Sequence, residues 1–442
     1  MKGLVEIINR ETERVFIVGV QLKGQDAWCI EESLDELEEL VGTAGGEVAG
    51  RGTQRLDRVN AATFIGPGKA REFAEQCKEA EVDTVVFDEE LSPAQGRNLE
   101  KVFECKILDR TALILDIFSK RARTREGKLQ VELAQLNHLL PRLTRFWTHL
   151  SRQKGGIGMR GGEGESQLEV DRRKVRERID KIQRDLELVM RHRSVQRTGR
   201  KRNQWPLGSM VGYTNAGKST LFNAITGASA LAEDKLFATL DPTTRRLCLP
   251  TNQNVLLSDT VGFIRKLPHD LVVAFKATLE EVMEADLLLH VVDISSPQVE
   301  EQIEAVNVVL DELGVADKPT LMVFNKIDSV TTPGLVKRFT DLHPNSIAVS
   351  AKTGEGFEAF MAELGKQLRP VREMLLLSIP HSQSEVIAQL HELGQVLERN
   401  YDAAEALFKA LIPPSHRATF EPFIIREDNL AKTPLPSGNE QG

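Results

Sequence analysis

The spacing of apolar residues over the first hundred positions switches between two periods. Residues 15–22 form an almost continuous apolar run of strand length. Leu34, Leu37, Leu40 and Val41 then recur at the steps of a helix over 31–41, which Gly45 and Gly46 are placed to end. Further helices are predicted at 69–80 and 93–103, with short buried strands at 84–87 and 105–108. This is the βαβ alternation of an α/β domain. Next, Leu129, Leu133, Leu136, Leu140 and Leu143 step by four and three, and Leu168, Val175, Ile179, Ile182, Leu186 and Val189 do much the same. Two such stripes suit an antiparallel helical hairpin. Pro141 should stop or kink the first helix and leave Leu143 beyond it.

Glycines crowd the stretch between the stripes, at 155–164, where a packed core cannot form. Gly156, Gly158 and Gly161 spell a formal G-x-G-x-x-G, but a dinucleotide site needs a strand before the motif, and here a helix precedes it. Past a polar, basic stretch at 197–204, a second α/β pattern runs to about Pro370. The rest predicts a strand at 373–379, a helix at 383–393 and strands near 404–411 and 418–424.

The net charge of −8 conceals an asymmetry. Between Lys120 and Arg202 lie 23 basic and 10 acidic residues, a local balance of +13 that leaves −21 for the remainder. A basic segment in an acidic chain suits either a solvated helical face or a polyanion contact. Cys29, Cys77, Cys105 and Cys248 lie far apart with no C-x-x-C pair, which speaks against a disulfide framework or zinc site. No apolar run reaches signal-peptide or membrane-spanning length, so a soluble, cytoplasmic protein is expected.

Residues 212–219 read Gly212-Tyr213-Thr214-Asn215-Ala216-Gly217-Lys218-Ser219, a complete phosphate-binding loop. Gly212 and Gly217 let the backbone N–H groups point at a β-phosphate, and the following helix adds its positive end. Lys218 would neutralise the β/γ-phosphates, and the Ser219 hydroxyl would ligate Mg²⁺. A buried strand then ends in Asp259, followed by Thr260, Val261 and Gly262. Asp259 is placed to hold the magnesium shell through water, and the Gly262 N–H to sense the γ-phosphate. Asn325-Lys326-Ile327-Asp328 follows a third apolar strand, where a carboxylate can accept both donors of the guanine edge. Ser350-Ala351-Lys352 would bring the Ala351 N–H to the guanine O6. Between the loop and Asp259 lies the expected mobile switch, residues 237–245, where Thr239, Thr243 and Thr244 all qualify to complete the magnesium shell.

With these motifs the chain resembles the HflX-type GTPases, a branch of the Obg-related translation GTPases. The likeness rests on G-Y-T-N-A-G-K-S at 212–219, on Phe237-Ala238-Thr239-Leu240-Asp241, on D-T-V-G at 259–262, and on the glycine-rich loop continuing into 164–173. It implies that Thr239 is the switch magnesium ligand, making Lys218, Thr239 and Gly262 the catalytic set. It also implies association with the large ribosomal subunit and its RNA, and splitting or rescue of ribosomes, notably under stress. Arg152, Lys154 and Arg160 beside the glycine-rich tip are the candidate RNA contacts. Asn215 stands where some similar GTPases bind potassium, a second candidate cation beside Mg²⁺. Two other readings stand beside this one: a GTPase of ribosome assembly or RNA processing, and a nucleotide-gated protein-binding switch. A monomer with no DNA partner is expected.

The expected fold is therefore α/β and multidomain. An N-terminal α/β domain (1–108) carries a helical hairpin with a glycine-rich loop (109–196). A linker (197–204), a P-loop GTPase domain with a mostly parallel sheet (205–370), a small C-terminal α+β domain (371–428) and a disordered tail (429–442) follow.

Overall fold

The computed structural model describes residues 12–23, 27–143, 167–203, 205–227, 236–237, 239–250, 253–266, 279–368, 373–401, 405–412 and 417–425. The chain forms two compact units. One comprises residues 1–190, 231–241 and 261–279, the other residues 191–230, 242–260 and 280–442.

The first unit is built on a four-stranded parallel sheet in the order β2-β1-β3-β4, with β1 Glu13–Leu22, β2 Gly46–Leu56, β3 Thr84–Phe87 and β4 Lys106–Asp109. Helix α1 (Ala27–Ala44) buries Leu34, Leu37, Leu40 and Val41, the four residues whose spacing predicts it. Helices α2 (Pro67–Glu79) and α3 (Pro93–Phe103) contribute Phe73, Cys77, Leu99 and Phe103 to a core with Phe16, Val18 and Val85. The sequence pattern gives no sign of β2, which lacks an apolar period. Its Gly50 and Gly52 explain why: a Cβ there would stand 2.9 Å from the Phe16 ring and 2.7 Å from the Phe73 ring. Strand β2 is shaped to let aromatic rings lie against its backbone, so a patterned side chain at those positions would be excluded.

Beyond β4, helix α4 (Arg110–Arg121) and helix α5 (Arg125–Leu139) follow with only a short turn between them. Helix α5 stops at Leu139, two residues before Pro141, and Leu143 lies outside it as expected. Its fully buried side is Glu126, Gln130, Val131 and Ala134, while the leucine stripe is half-buried. Helix α6 (Gln167–Asn203) supplies Ile179 and Ile182 to the first unit, and its Arg178 grips Glu132 of α5 through Nε at 2.6 Å and a second nitrogen at 2.8 Å. Helix α6 continues to Asn203, so most of the stretch expected as a linker is helical. The glycine-rich loop at 155–164, Arg152, Lys154, Arg160, Ala238 and the tail at 429–442 lie outside the described residues.

The carboxyl ends of β3 and β4 carry buried charge. Arg110 is 2% exposed and donates to Asp88 at 2.7 Å and also to Glu36. Asp88 further accepts from the Ser33 hydroxyl at 2.7 Å and from Lys266 at 2.5 Å, and Lys266 reaches Glu89 at 2.6 Å. Buried charge needs such pairing to be tolerated. Lys266 lies only four residues past Gly262.

The second unit holds a six-stranded sheet in the order β10-β9-β8-β5-β7-β6. Strands β5 (Leu207–Val211), β7 (Asn254–Asp259), β8 (Leu287–Asp293), β9 (Thr320–Asn325) and β10 (Ser346–Ala348) run parallel, and β6 (Thr243–Cys248) pairs antiparallel with β7. Strand β5 is buried throughout despite its Gly208 and Ser209. Helices α7 (Lys218–Thr226), α8 (Glu280–Met283), α9 (Val299–Glu312), α10 (Leu335–Leu342) and α11 (Phe357–Gln367) complete this part, with α7 and α11 lending Leu221, Phe222, Phe360 and Leu364 to its core. Residues 243–245, expected in the mobile switch, belong to β6 instead.

Strands β11 (Glu373–Pro380), β12 (Gln395–Tyr401) and β13 (Glu405–Ile412) form an antiparallel sheet around β13, beside helix α12 (Ser384–Leu393). Residues 418–424 are not the expected strand. They form helix α13 (Arg417–Phe420) and a 3-10 turn (Glu421–Phe423), because Pro422 has no N–H to give a ladder. Among the described residues, no helix is long and apolar enough to cross a membrane.

Candidate nucleotide-binding site

In a parallel sheet the carboxyl ends of the strands share one edge, and loops leaving that edge can converge on a ligand. In the second unit this edge carries the 212–219 loop after β5, Asp259 at the end of β7, Asp293 at the end of β8 and Asn325 at the end of β9. Four features scattered from residue 212 to residue 325 are therefore neighbours for a topological reason.

The 212–219 loop is shaped by close backbone approach. Gly212 has φ 150°, and a Cβ on it would lie 2.2 Å from the Val291 carbonyl oxygen. Gly217 has φ 87° and caps α7, and a Cβ there would lie 2.2 Å from Asn325 Nδ2. Lys218 is buried, and its Nζ donates to the carbonyls of Gly212 at 3.1 Å and Tyr213 at 2.6 Å. It lies folded onto the loop, with two carbonyls as partners. Burial pushes its pKa down to about 8, against the opposing pull of Asp259. Tyr213, Thr214 and Ala216 are buried, while Asn215 stands exposed at φ 60°.

Ser219 Oγ donates to Asp259 Oδ2 at 2.7 Å, and Asp259 is fully buried. A hydroxyl and a carboxylate in contact at the start of a helix form the hard-oxygen donor set that Mg²⁺ takes. These residues fit the ion; it would draw charge from phosphate oxygens and steady their position. The Thr260 hydroxyl donates to the Met210 carbonyl at 2.6 Å, anchoring the chain just before Val261 and Gly262, which are both buried.

Asn325 joins two loops rather than pointing outward. Its Nδ2 donates to the Ala216 carbonyl and its Oδ1 accepts from the Ala351 N–H, each at 2.9 Å. Asp328 Oδ1 accepts from the Ser350 hydroxyl at 2.6 Å, and this bond holds its carboxyl below the usual carboxylate range. Lys326, at φ 65°, reaches Asp293 at 2.7 Å. Ile327 opens the short 3-10 turn that presents Asp328, and Lys352 lies one residue past Ala351. Asp293 escaped the sequence reading, although β8 ends in aspartate just as β7 does. His290, buried in β8, escaped it too; burial first and Lys218 second push its pKa down to about 3, so it is neutral.

The candidate switch residues Phe237, Thr239, Leu240 and Asp241, with 261–266, belong to the first unit. Phe237 packs edge-on against Phe118 of α4, with ring centroids 4.7 Å apart. Phe263 is only 1% exposed.

Two outcomes check this geometry. Asp328→Asn removes one guanine-facing acceptor, so GTP affinity should fall by about 10–100-fold while xanthosine triphosphate gains. Unchanged GTP affinity would detach Asp328 from base recognition. Lys218 must be charged to meet phosphate, so binding raises its pKa above the free value of about 8. Affinity for GDP is then complete below that value and lost as pH rises past it, by up to about tenfold between pH 7 and pH 9. Equal affinities at the two pH values, measured by titration, would contradict this reading.

Comparison with known proteins agrees with the motifs. Family models described as GTP-binding GTPase N-terminal, GTP-binding GTPase Middle Region and 50S ribosome-binding GTPase match residues 31–119, 121–200 and 208–326. The chain is 47% identical over 421 residues to the GTPase HflX of Caldanaerobacter subterraneus subsp. tengcongensis, covering 95% of this chain and 96% of that one. It is 50% identical over 371 residues to the GTPase HflX of Escherichia coli, covering 84% and 87%. The crystal structure of an SsGBP and GDP complex aligns over 80% of this chain and 98% of that chain, at 25% identity and a TM-score of 0.44. The protein is a GTP hydrolase. With this identity along nearly its whole length, the chain belongs to the HflX family of GTPases.

Proposed function

We propose that the protein binds GTP through residues 212–219, 325–328 and 350–352, with Mg²⁺ held by Ser219, Thr239 and, through water, Asp259. On this reading it couples GTP hydrolysis to association with the large ribosomal subunit, splitting or rescuing ribosomes, notably under stress. The observation that carries the coupling is Phe263. Many GTPases place glutamine directly after this glycine to orient the attacking water. Here that position holds an apolar ring sealed in the core, 1% exposed. Lys218 and the loop amides can position phosphate, but the side chain of residue 263 offers nothing to the water. A partner that orders the switch or inserts a polar group would complete the site. The exposed Asn215 is the residue that would serve a potassium ion, another source of positive charge.

The partner follows from charge and kinship. The hairpin segment carries the +13 balance, and ribosomal RNA rewards basic, adaptable loops. The matching family model is described as a 50S ribosome-binding GTPase. On this reading Arg152, Lys154 and Arg160 contact RNA.

Turnover measured alone and with purified large subunits tests the proposal. Subunits should raise kcat by about 10³–10⁵-fold, the scale that a supplied arginine-like group achieves elsewhere. Replacing Arg152, Lys154 and Arg160 together should weaken subunit binding and flatten its salt dependence, with GTP affinity unchanged. Equal turnover with and without subunits would overturn the coupling.

A further inference from the structure

Asp241 lies two residues past Thr239, and its carboxylate is engaged by the turn between α4 and α5. Oδ2 accepts from the Arg123 N–H at 2.8 Å and the Thr124 N–H at 2.9 Å, and Oδ1 accepts from the Thr124 hydroxyl at 2.5 Å. Thr124 is the N-cap of α5, and its Oγ1 accepts from the Gly127 N–H at 2.9 Å. With the hydroxyl hydrogen turned toward Asp241, a lone pair faces Gly127, so the two bonds set each other's direction. A carboxylate at the N-terminus of a 15-residue helix is also favoured by the helix dipole. The fit is close, since a Cβ on Gly127 would lie 2.4 Å from Asp241 Oδ1. On the other side of Thr239, Phe237 sits at φ 55° with its ring against Phe118 of α4. Thr239 is therefore flanked by two anchors, both on the α4–α5 pair.

We infer that Asp241 is a positioning residue: through the cap of α5 it ties the placement of Thr239 to that of the hairpin's first helix. Two residues of chain span at most about 7 Å. Thr239 thus has little freedom to move toward a γ-phosphate without pulling on the carboxylate or breaking its bonds. Helix α5 is in turn joined to α6 by the forked Arg178–Glu132 pair, so movement at the cap reaches both arms of the hairpin. The inference rests on the assignment of Thr239 as the switch magnesium ligand and is independent of the ribosomal partner.

The test is amide exchange across residues 121–128 in the full-length protein, with GDP and with a non-hydrolysable GTP analogue. Parent, Asp241→Ala, Asp241→Asn and Thr124→Val proteins are compared. In the parent, exchange should differ by about threefold or more between the two nucleotides. Asp241→Ala and Thr124→Val should exchange faster and lose that difference, while Asp241→Asn, which keeps an acceptor oxygen, should retain part of it. KM for GTP should stay within about twofold while kcat of Asp241→Ala falls by about threefold or more. A cap with only a structural role would give faster exchange in Asp241→Ala with the nucleotide difference intact, and that result would overturn the inference. So would a parent protein whose 121–128 amides ignore the nucleotide. Thr239→Ala, measured in parallel for Mg²⁺-dependent affinity for the GTP analogue, separates failure of the coupling from failure of the Thr239 assignment.

Discussion

The Asn325 side chain spans two loops that approach from different strands, donating to the Ala216 carbonyl and accepting from the Ala351 N–H. It is 1% exposed, so neither contact can be replaced by bulk water. An unmet buried amide costs about 1–3 kcal/mol for each group left without a partner. The 212–219 loop and the 350–352 loop consequently hold one another in register. Gly217 exists for the same reason, since a side chain there would displace the amide. Asp328 gains its orientation one turn later from Ser350, in the loop that Asn325 has already fixed. Preorganisation of this kind leaves less ordering to be done on binding.

The segments expected to sense the γ-phosphate are held differently. Residues 236–241 rest on α4 and the start of α5 through Phe237 and Asp241. Residues 265 and 266 reach α1 and the β3 end, with Arg265 3.8 Å from Glu32 and Lys266 on Asp88 and Glu89. The acidic cluster receiving Lys266 is balanced from within by Arg110.

Much of this was legible from residue order. The periodicities located α1, α2, α3 and the strands β1, β3, β4, β7, β8 and β9, because buried faces repeat at 3.6 or run continuously. The motifs at 212–219, 325–328 and 350–352 were readable by their spacing, and the structure brings them together through Asn325. Strand β2 was not readable, since Gly50 and Gly52 answer to the rings of Phe16 and Phe73 far away in sequence. Strand β12 was missed because every residue after Val396 is exposed, so no buried face marks its period. The leucine stripe in α5 marked the helix but not its fully buried side, where Glu126 and Gln130 lie with Val131 and Ala134. The bridging role of Asn325 and the partners of Asp241 and Lys266 depend on tertiary contacts that spacing does not encode.

We propose that this edge of the sheet is a guanine-nucleotide site whose choice of base rests on Asp328. Equilibrium binding of GDP and ADP to the full chain, at matched Mg²⁺, tests it most directly. A base edge read by a charged acceptor predicts GDP binding tighter by about 100-fold or more. Comparable affinity for the two nucleotides would contradict the account.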